Sequence, residues 1–230
     1  MTLLGGTLAV VAAILVVAIA LSSSSSHSPP GQKQATADAK AVQTLLAGIP
    51  QTGARLGWPN APTKMDYYGD LECPVCQQFT LTAVPPLIAS DVRSHRLQIT
   101  YHSLETATQD PNLFRTQQVA SLAAGQQNLG WDYIELFYHE QGAEGSGYVT
   151  ESFLRSLASQ IQGLNLTRWQ SDRNLPTLAN VVATDQQNAI AGSFQATPTL
   201  VITGPRGAAQ PIQGAVPYSQ VEQAIRSVGG

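Results

Sequence analysis

Two cysteines, Cys73 and Cys76, are the only ones in this chain, and they flank the dipeptide Pro74-Val75. This spacing allows a structural disulfide, one half of a metal site, or a dithiol that cycles between reduced and oxidised forms. A structural disulfide is disfavoured because its stabilising effect grows with the loop that it closes, and this loop is very short. A zinc site is disfavoured because it needs four ligands and no second cysteine pair exists. The spacing therefore favours a redox-active dithiol.

The flanking residues predict that the two cysteines lie where a strand meets a helix. Residues 64–68 (KMDYY) have the apolar and aromatic content of a short strand, and Gly69-Asp70 is typical of a turn. After the cysteines, apolar residues recur at helical spacing at Cys76, Phe79, Ala83 and Leu87. Pro74 suits the first turn of a helix, where its missing N–H costs nothing.

This position predicts different roles for the two sulfurs. The free N–H groups and the dipole at a helix N-terminus stabilise a thiolate, so Cys73 should be the more acidic thiol. We expect Cys73 to be the exposed sulfur that attacks a substrate. Cys76 lies one turn further on, against the sheet, and would resolve the mixed disulfide.

Three segments resemble the DsbA-like thiol-disulfide oxidoreductases of the thioredoxin fold. The first segment, together with Phe79 after it, resembles the active-site segment of that family. The second resembles its cis-proline loop, and the third resembles the turn before its last helix. They are Tyr68-Gly69-Asp70-Leu71-Glu72-Cys73-Pro74-Val75-Cys76, Thr197-Pro198-Thr199-Leu200-Val201 and Gly214-Ala215-Val216-Pro217-Tyr218. The resemblance covers roughly residues 56–225.

The resemblance implies an α/β protein with a thioredoxin-like fold and an inserted helical subdomain, and the uncharged N-terminal stretch predicts a preceding apolar helix. It implies catalysis by Cys73 and Cys76, substrate binding at Thr197 and Pro198, and no cofactor beyond the redox-active disulfide. Partners would be unfolded or partly folded exported proteins with cysteines, and a quinone-linked membrane thiol oxidase that restores the disulfide. We expect a monomer, because residues 32–62 are too short for the added dimerisation domain typical of isomerases of this fold.

Two acids, Asp70 and Glu72, are the candidates for a proton relay to Cys76. They could equally be a turn residue and a solvated side chain. The buried acid that the family places six residues before the first cysteine is here Tyr67. Strong oxidants of the family carry a histidine between the cysteines, which this chain lacks. We therefore expect a reduction potential between about −120 mV for DsbA and about −270 mV for thioredoxin.

The N-terminal residues 3–21 are uncharged and just long enough to cross a bilayer as a helix. We interpret them as an uncleaved anchor, because the basic residues that begin a signal peptide are missing, although Ala18-Ile19-Ala20 matches a cleavage site. The expected location is the cell membrane, with a single-pass anchor and the catalytic domain outside the cytoplasm. Cleavage near Ala20 would instead give a secreted or periplasmic protein.

Composition and apolar periodicity along the chain divide it into three parts. Residues 1–21 form the transmembrane anchor or signal peptide, and residues 22–55 a flexible tether with a short N-terminal extension. Residues 56–230 form the thioredoxin-like domain, with its helical insertion at about 110–192. Further strands are predicted at 97–103, 199–203 and 209–213, and a last helix at 218–227. Within the insertion, one apolar helical stripe comprises Leu178, Val181, Val182, Ala189 and Ile190.

Composition excludes one class of function and leaves others open. The net charge of −3 offers no basic field for nucleic acid. Within the enzyme class, a disulfide reductase or isomerase stays open, because isomerases of this fold also place threonine before the proline. From another class, a thioredoxin-fold metal-binding or chaperone module could use the dithiol as a soft ligand.

Overall fold

The computed structural model describes residues 30–229, so the predicted apolar helix at 1–21 and the first part of the tether lie outside the described residues. The helices are α1 Pro30–Leu46, α2 Pro74–Thr82, α3 Val84–Leu87, α4 Pro111–Gly125, α5 Gly130–His139, α6 Glu151–Gln160, α7 Leu166–Asp172, α8 Pro176–Ala191 and α9 Tyr218–Ser227. The strands are β1 Gln51–Thr52, β2 Arg55–Leu56, β3 Thr63–Gly69, β4 Leu97–Ser103, β5 Thr199–Gly204, β6 Gly207–Ala208 and β7 Ile212–Gln213. None of these helices is both long and apolar enough to span a bilayer.

A single sheet forms the centre of the described part, with the strand order β1-β2-β4-β3-β5-β6 and with β7 paired to β5. The middle strand β3 runs parallel to β4 and antiparallel to β5, and Met65 lies between Ile99 and Ile202. These three side chains are buried. Because β3 carries the chain directly to Cys73, the central strand of the sheet positions the active-site segment.

The helix that begins after Cys73 is broken where prolines interrupt it. Its first part, α2, ends at Thr82, α3 contains Pro85 and Pro86, and a π-helical turn over Ile88–Val92 follows. A proline cannot donate the helical hydrogen bond, and it also disfavours helical backbone at the residue before it. The predicted apolar face of this segment is confirmed, since Phe79 and Leu87 are fully buried.

Five helices, α4 to α8, lie between β4 and β5. Three residues mark helix ends: Asp110 accepts a hydrogen bond from Asn112 N, Thr150 accepts one from Phe153 N, and Gly192 follows the end of α8. Trp131 and Trp169 are fully buried in the core.

Three details differ from the sequence predictions. Residues 48–62 contain a short hairpin, β1 and β2, that was not predicted. Of the strand predicted at 209–213, only β7 at Ile212–Gln213 forms, because Pro211 cannot donate to a ladder, and β6 at Gly207–Ala208 lies before the predicted range. Val181 is 41% exposed and Ile190 is 76% exposed, so neither is part of the buried stripe of α8.

Candidate active site

Cys73 occupies the position immediately before the first turn of α2. Its backbone is extended, with φ −71° and ψ 118°, and Pro74 follows in the first turn. The backbone N–H of Cys76 donates to Cys73 Sγ at 3.4 Å. Both cysteines are free thiols. The helix N-terminus therefore delivers a donor directly to the first sulfur, as the strand-to-helix junction predicts.

The pKa values of the two thiols are shifted in opposite directions. The pKa of Cys73 is lowered to about 6, and the largest cause is a hydrogen bond from the Cys76 thiol. Burial opposes this shift, whereas Thr197 and the backbone N–H groups of Cys76 and Val75 add to it. Burial is the main cause that raises the pKa of Cys76 well above its ordinary value, and the neighbouring Cys73 adds to it. At neutral pH, Cys73 is a thiolate and Cys76 keeps its proton.

Thr197 and Pro198 lie against the first sulfur. Their peptide bond is cis, and Thr197 O lies 3.6 Å from Cys73 Sγ. This contact covers Cys73, which is only 6% exposed and thus less open than the sequence analysis expected. The strand β5 begins at Thr199, directly after the loop. The structure thus brings together Cys73, Cys76, Thr197 and Pro198. Cys73 and Thr197, which are in contact, lie 124 positions apart in the sequence.

Asp70 is fully buried and its carboxylate accepts five hydrogen bonds. One oxygen, Oδ1, accepts from the backbone N–H of Glu72 at 3.1 Å and from the Thr108 hydroxyl at 2.6 Å. The other, Oδ2, accepts from the consecutive backbone N–H groups of Thr106, Ala107 and Thr108 at 2.9 to 3.0 Å. A carboxylate offers about four lone-pair sites, so this one is saturated.

Glu72 is also buried, with 3% of its surface exposed. Burial is the main cause that raises the pKa of its carboxyl group, and the neighbouring side chains of Thr108 and Gln117 oppose the shift. The two acids before Cys73 therefore differ. Glu72 holds a proton more readily than an exposed glutamate, whereas Asp70 is surrounded by donors.

Three tyrosines, Tyr67, Tyr101 and Tyr138, form a buried cluster beneath Cys76. The Tyr67 hydroxyl lies 2.9 Å from the Thr80 hydroxyl and 3.4 Å from Cys76 O, and the hydroxyls of Tyr101 and Tyr138 lie 3.3 Å apart. Burial, first of all, raises the pKa of each phenol well above its usual range. The position of the family's buried acid is thus taken by a group that stays uncharged.

Sequence reasoning missed two residues near the end of α5 that hold the active-site segment. Tyr138 Oη donates to Asp70 O at 3.1 Å, and Gln141 Nε2 donates to Leu71 O at 2.6 Å and to Cys73 O at 3.3 Å. Tyr138 belongs to an apolar helix, where an aromatic residue is normally core. No local pattern marks Gln141 as a contact of a loop about seventy residues away.

Residues that could hold a metal do not gather near the sulfurs. Across residues 30–229, no group of three or more histidine, cysteine, aspartate or glutamate side chains is placed to bind a metal ion. His102 lies instead between Asp66 and Asp185, at 3.2 Å and 2.7 Å.

Comparison with known proteins agrees with this geometry. A family model described as Thioredoxin matches residues 50–225. The probable disulfide bond formation protein D of Bacillus cereus is 21% identical over 154 residues, which cover 66% of this chain and 71% of that protein.

Two solved structures share the fold. BdbD from Bacillus subtilis in its oxidised form superposes with a TM-score of 0.66 at 19% identity, covering 78% of this chain and 96% of BdbD. DsbA2 from Pseudomonas aeruginosa gives a TM-score of 0.59 at 21% identity, covering 79% of this chain and 97% of that one. The predicted DsbA-like thioredoxin fold is confirmed, and the chain belongs to the thioredoxin family.

Proposed function

We propose that this chain is an exported thiol-disulfide oxidoreductase that donates its Cys73–Cys76 disulfide to folding proteins, as a DsbA-like oxidant. The observation that carries the proposal is the opposite acidity of two neighbouring thiols, one with a pKa lowered to about 6 and one with a pKa raised well above its ordinary value. The relatives named for disulfide bond formation support it. The redox-active disulfide serves in place of a cofactor.

The reaction exchanges two electrons and two sulfur bonds. A substrate thiolate attacks Cys73 Sγ of the oxidised protein, the Cys73–Cys76 bond breaks, and Cys76 leaves and takes up a proton. The second substrate thiolate then attacks the substrate sulfur of the mixed disulfide, and Cys73 leaves as a thiolate. The substrate gains a disulfide, and the protein is reduced to its dithiol form.

The low pKa of Cys73 favours this direction. A sulfur with a lower pKa leaves faster, and a stabilised thiolate makes the reduced protein the favoured product. The opposite direction defines the reductase or isomerase alternative. Relative to DsbA, whose corresponding pKa is about 3.5, the value of about 6 at Cys73 fits a milder oxidant.

Substrate would bind along the loop that carries Thr197 and Pro198. Pro198 has no N–H to compete for the thiolate, and Thr197 has backbone groups that an extended peptide can pair with. Because Thr197 O already lies 3.6 Å from Cys73 Sγ, a peptide paired there would bring its own sulfur close to Cys73.

The proton for Cys76 needs a donor, and we assign this role to Glu72 rather than Asp70. The Glu72 carboxyl has a pKa that burial raises, so it keeps a proton available closer to neutral pH. The Asp70 carboxylate is instead occupied by five hydrogen-bond donors.

The cellular setting completes the proposal. Residues 1–21 would anchor the protein in the cell membrane, or be removed, and the catalytic domain would act outside the cytoplasm as a monomer. A quinone-linked membrane oxidase would restore the Cys73–Cys76 disulfide.

The deciding experiment is trapping in the native host with Cys76→Ser. We expect this variant to accumulate mixed disulfides through Cys73 with exported proteins, because the resolving sulfur is absent. Cys73→Ser is the matched control and should trap far fewer. Equal trapping by both variants, or none by either, would contradict the proposal. Tight binding of copper or zinc by the purified dithiol, with no exchange, would favour the metal-binding module.

A further inference from the structure

Asp70 and the loop of residues 104–108 form one hydrogen-bonded unit. Three consecutive N–H groups of the loop, those of Thr106, Ala107 and Thr108, converge on Asp70 Oδ2. The start of the loop is held separately, because Leu104 N donates to Gly69 O at 2.9 Å. The carboxylate therefore determines the shape of the loop beyond its first residues.

The loop in turn contacts the residue beside the attacking sulfur. The hydroxyl of Thr106 is hydrogen-bonded to the hydroxyl of Thr197. Thr197 in turn lies against the sulfur, with its backbone oxygen 3.6 Å from Cys73 Sγ, and it is one of the groups that lower the pKa of Cys73. Thr106 is otherwise exposed to solvent, so this contact is what links its side chain to the site.

We propose that Asp70 is a positioning residue for the exchange reaction: its carboxylate shapes the loop so that the Thr106 hydroxyl holds Thr197 against Cys73. The inference rests on the proposed function and gives Asp70 a role other than moving protons. The path runs from Asp70 through three loop amides to Thr106, through the paired hydroxyls to Thr197, and from Thr197 O to Cys73 Sγ at 3.6 Å.

The exposed position of Thr106 makes it the safest place to test the path. Thr106→Val removes the hydroxyl and keeps the shape, whereas Thr106→Ser keeps the hydroxyl. In the reduced full-length protein, the titration of Cys73 can be followed by thiolate absorbance and by alkylation rate against pH. We expect the Cys73 titration of the valine variant to move upward and its alkylation rate at pH 6 to fall, by up to about tenfold, since one hydrogen bond to a charged group is worth that much. The serine variant should behave as the original protein does.

The role of Asp70 itself is tested with Asp70→Asn, which keeps the size but brings an NH₂ group toward the loop amides. The matched control is Asp91→Asn, because Asp91 is also fully buried and pairs with Arg96 and Tyr218 outside the site. Both variants should unfold at a lower denaturant concentration. Only Asp70→Asn should shift the Cys73 titration, in the same direction as Thr106→Val.

A double variant shows whether Asp70 acts through Thr106. If it does, adding Thr106→Val to Asp70→Asn changes the titration by less than the sum of the two single shifts. Additive shifts, an unchanged titration in Asp70→Asn, or an unchanged titration in Thr106→Val would overturn the inference. These outcomes leave the proposed function intact as long as the original protein still exchanges disulfides. If the wild-type protein did not exchange disulfides, that result would instead contradict the proposed function.

Discussion

Asp185, on α8, places its Oδ1 atom 2.7 Å from Nδ1 of His102, on β4, and so ties the inserted helices to the central sheet. Asp185 Oδ2 also accepts the backbone N–H of Ser103 at 2.9 Å, and Asp66 lies 3.2 Å from the other ring nitrogen of His102. Tyr68 stacks on the imidazole at 4.8 Å. Burial opposes protonation, but hydrogen bonds and charge from Asp185 and Asp66 outweigh it and raise the pKa of His102 to about 9.

This arrangement predicts a loss of stability in mild alkali. The folded pKa lies above the ordinary value of 6.5, so the protonated imidazole stabilises the fold fully below pH 6.5. That contribution is lost as the pH rises through 9, and it amounts to about 3 kcal/mol at most. Urea unfolding at several pH values between 6 and 10 measures it. His102→Gln should flatten this part of the curve, and an equally steep curve in that variant would contradict the assignment.

Glu135, on α5, is a buried acid outside the active site. It is fully buried, and neither carboxyl oxygen has a hydrogen-bond partner among the residues that the structure describes. Burial, with a smaller contribution from Asp132, raises the pKa of Glu135 to about 8. The group is therefore neutral at pH 7, and its raised pKa makes the fold less stable as the pH rises from about 4.5 through 8.

We expect Glu135→Met to raise the free energy of unfolding by about 1 to 2 kcal/mol at pH 7, because a buried polar group without a partner is replaced by an apolar one of similar size. The gain should be larger at pH 9. Glu135→Gln is the matched control: it removes the ionisation but keeps the polar group, so it should flatten the pH dependence and gain less than the methionine variant at both pH values. Chemical unfolding at the two pH values measures both, and a methionine variant less stable at pH 9 would disprove the prediction.

The proposed proton donor can be separated from the nucleophile. Glu72→Gln removes the carboxyl proton of the buried acid beside Cys73, so the steps in which Cys76 gains or loses a proton should slow by about 10²-fold or less near neutral pH. The alkylation rate of Cys73 should change little. Stopped-flow measurement of mixed-disulfide formation and resolution tests this, with Glu105→Gln as a control at a nearby acid whose pKa burial also raises. Equal slowing in the two variants would rule out a specific role for Glu72.

The part of the site that local sequence determines could be predicted, and the part built by distant contacts could not. Pro74 and the apolar spacing that follows it predict the helix N-terminus that carries Cys73, and the Thr197-Pro198 pair is recognisable by its resemblance to a known loop. The contacts that shape Asp70 come from Thr106 and Thr108, 36 and 38 positions away. Gln141 reaches the carbonyl of Cys73 across 68 positions. Such pairs leave no periodic pattern, because each side chain is ordinary within its own segment.

The fold shows the same division. Strands β3, β4 and β5 and the long helices have continuous apolar patterns, and the sequence predicts them. The hairpin of β1 and β2 has two residues in each strand, too few for any periodicity. It is stabilised from outside, since Trp131 Nε1 donates to Ala54 O and Trp131 N donates its hydrogen bond to Gln51 Oε1. The burial of Trp131 can be predicted from the sequence, but its hydrogen-bond partners Ala54 and Gln51 cannot.

Val75, one of the two residues between the cysteines, offers the last prediction, since it is 40% exposed and has no side-chain donor for the thiolate. Val75→His would place a donor, charged below its pKa, beside Cys73. A nearby positive charge lowers the pKa of a thiol, and a more stable thiolate makes the disulfide a stronger oxidant. We expect the potential of the original protein to lie between about −270 and −120 mV and that of the variant to be higher, by about 30 mV for each tenfold change in the equilibrium constant.

Equilibration of each protein with glutathione measures these potentials, and alkylation against pH reports the pKa of Cys73. Val75→Phe is the matched control, because it supplies a ring without a charge or a donor and should leave the potential nearly unchanged. The gain in the histidine variant should shrink as the pH rises above the ordinary imidazole pKa of about 6.5, since the ring then loses its charge. A potential that rises equally in both variants would show that ring size, and not charge, tunes the sulfur. A potential of the original protein at or above the DsbA value would contradict the milder oxidant proposed here.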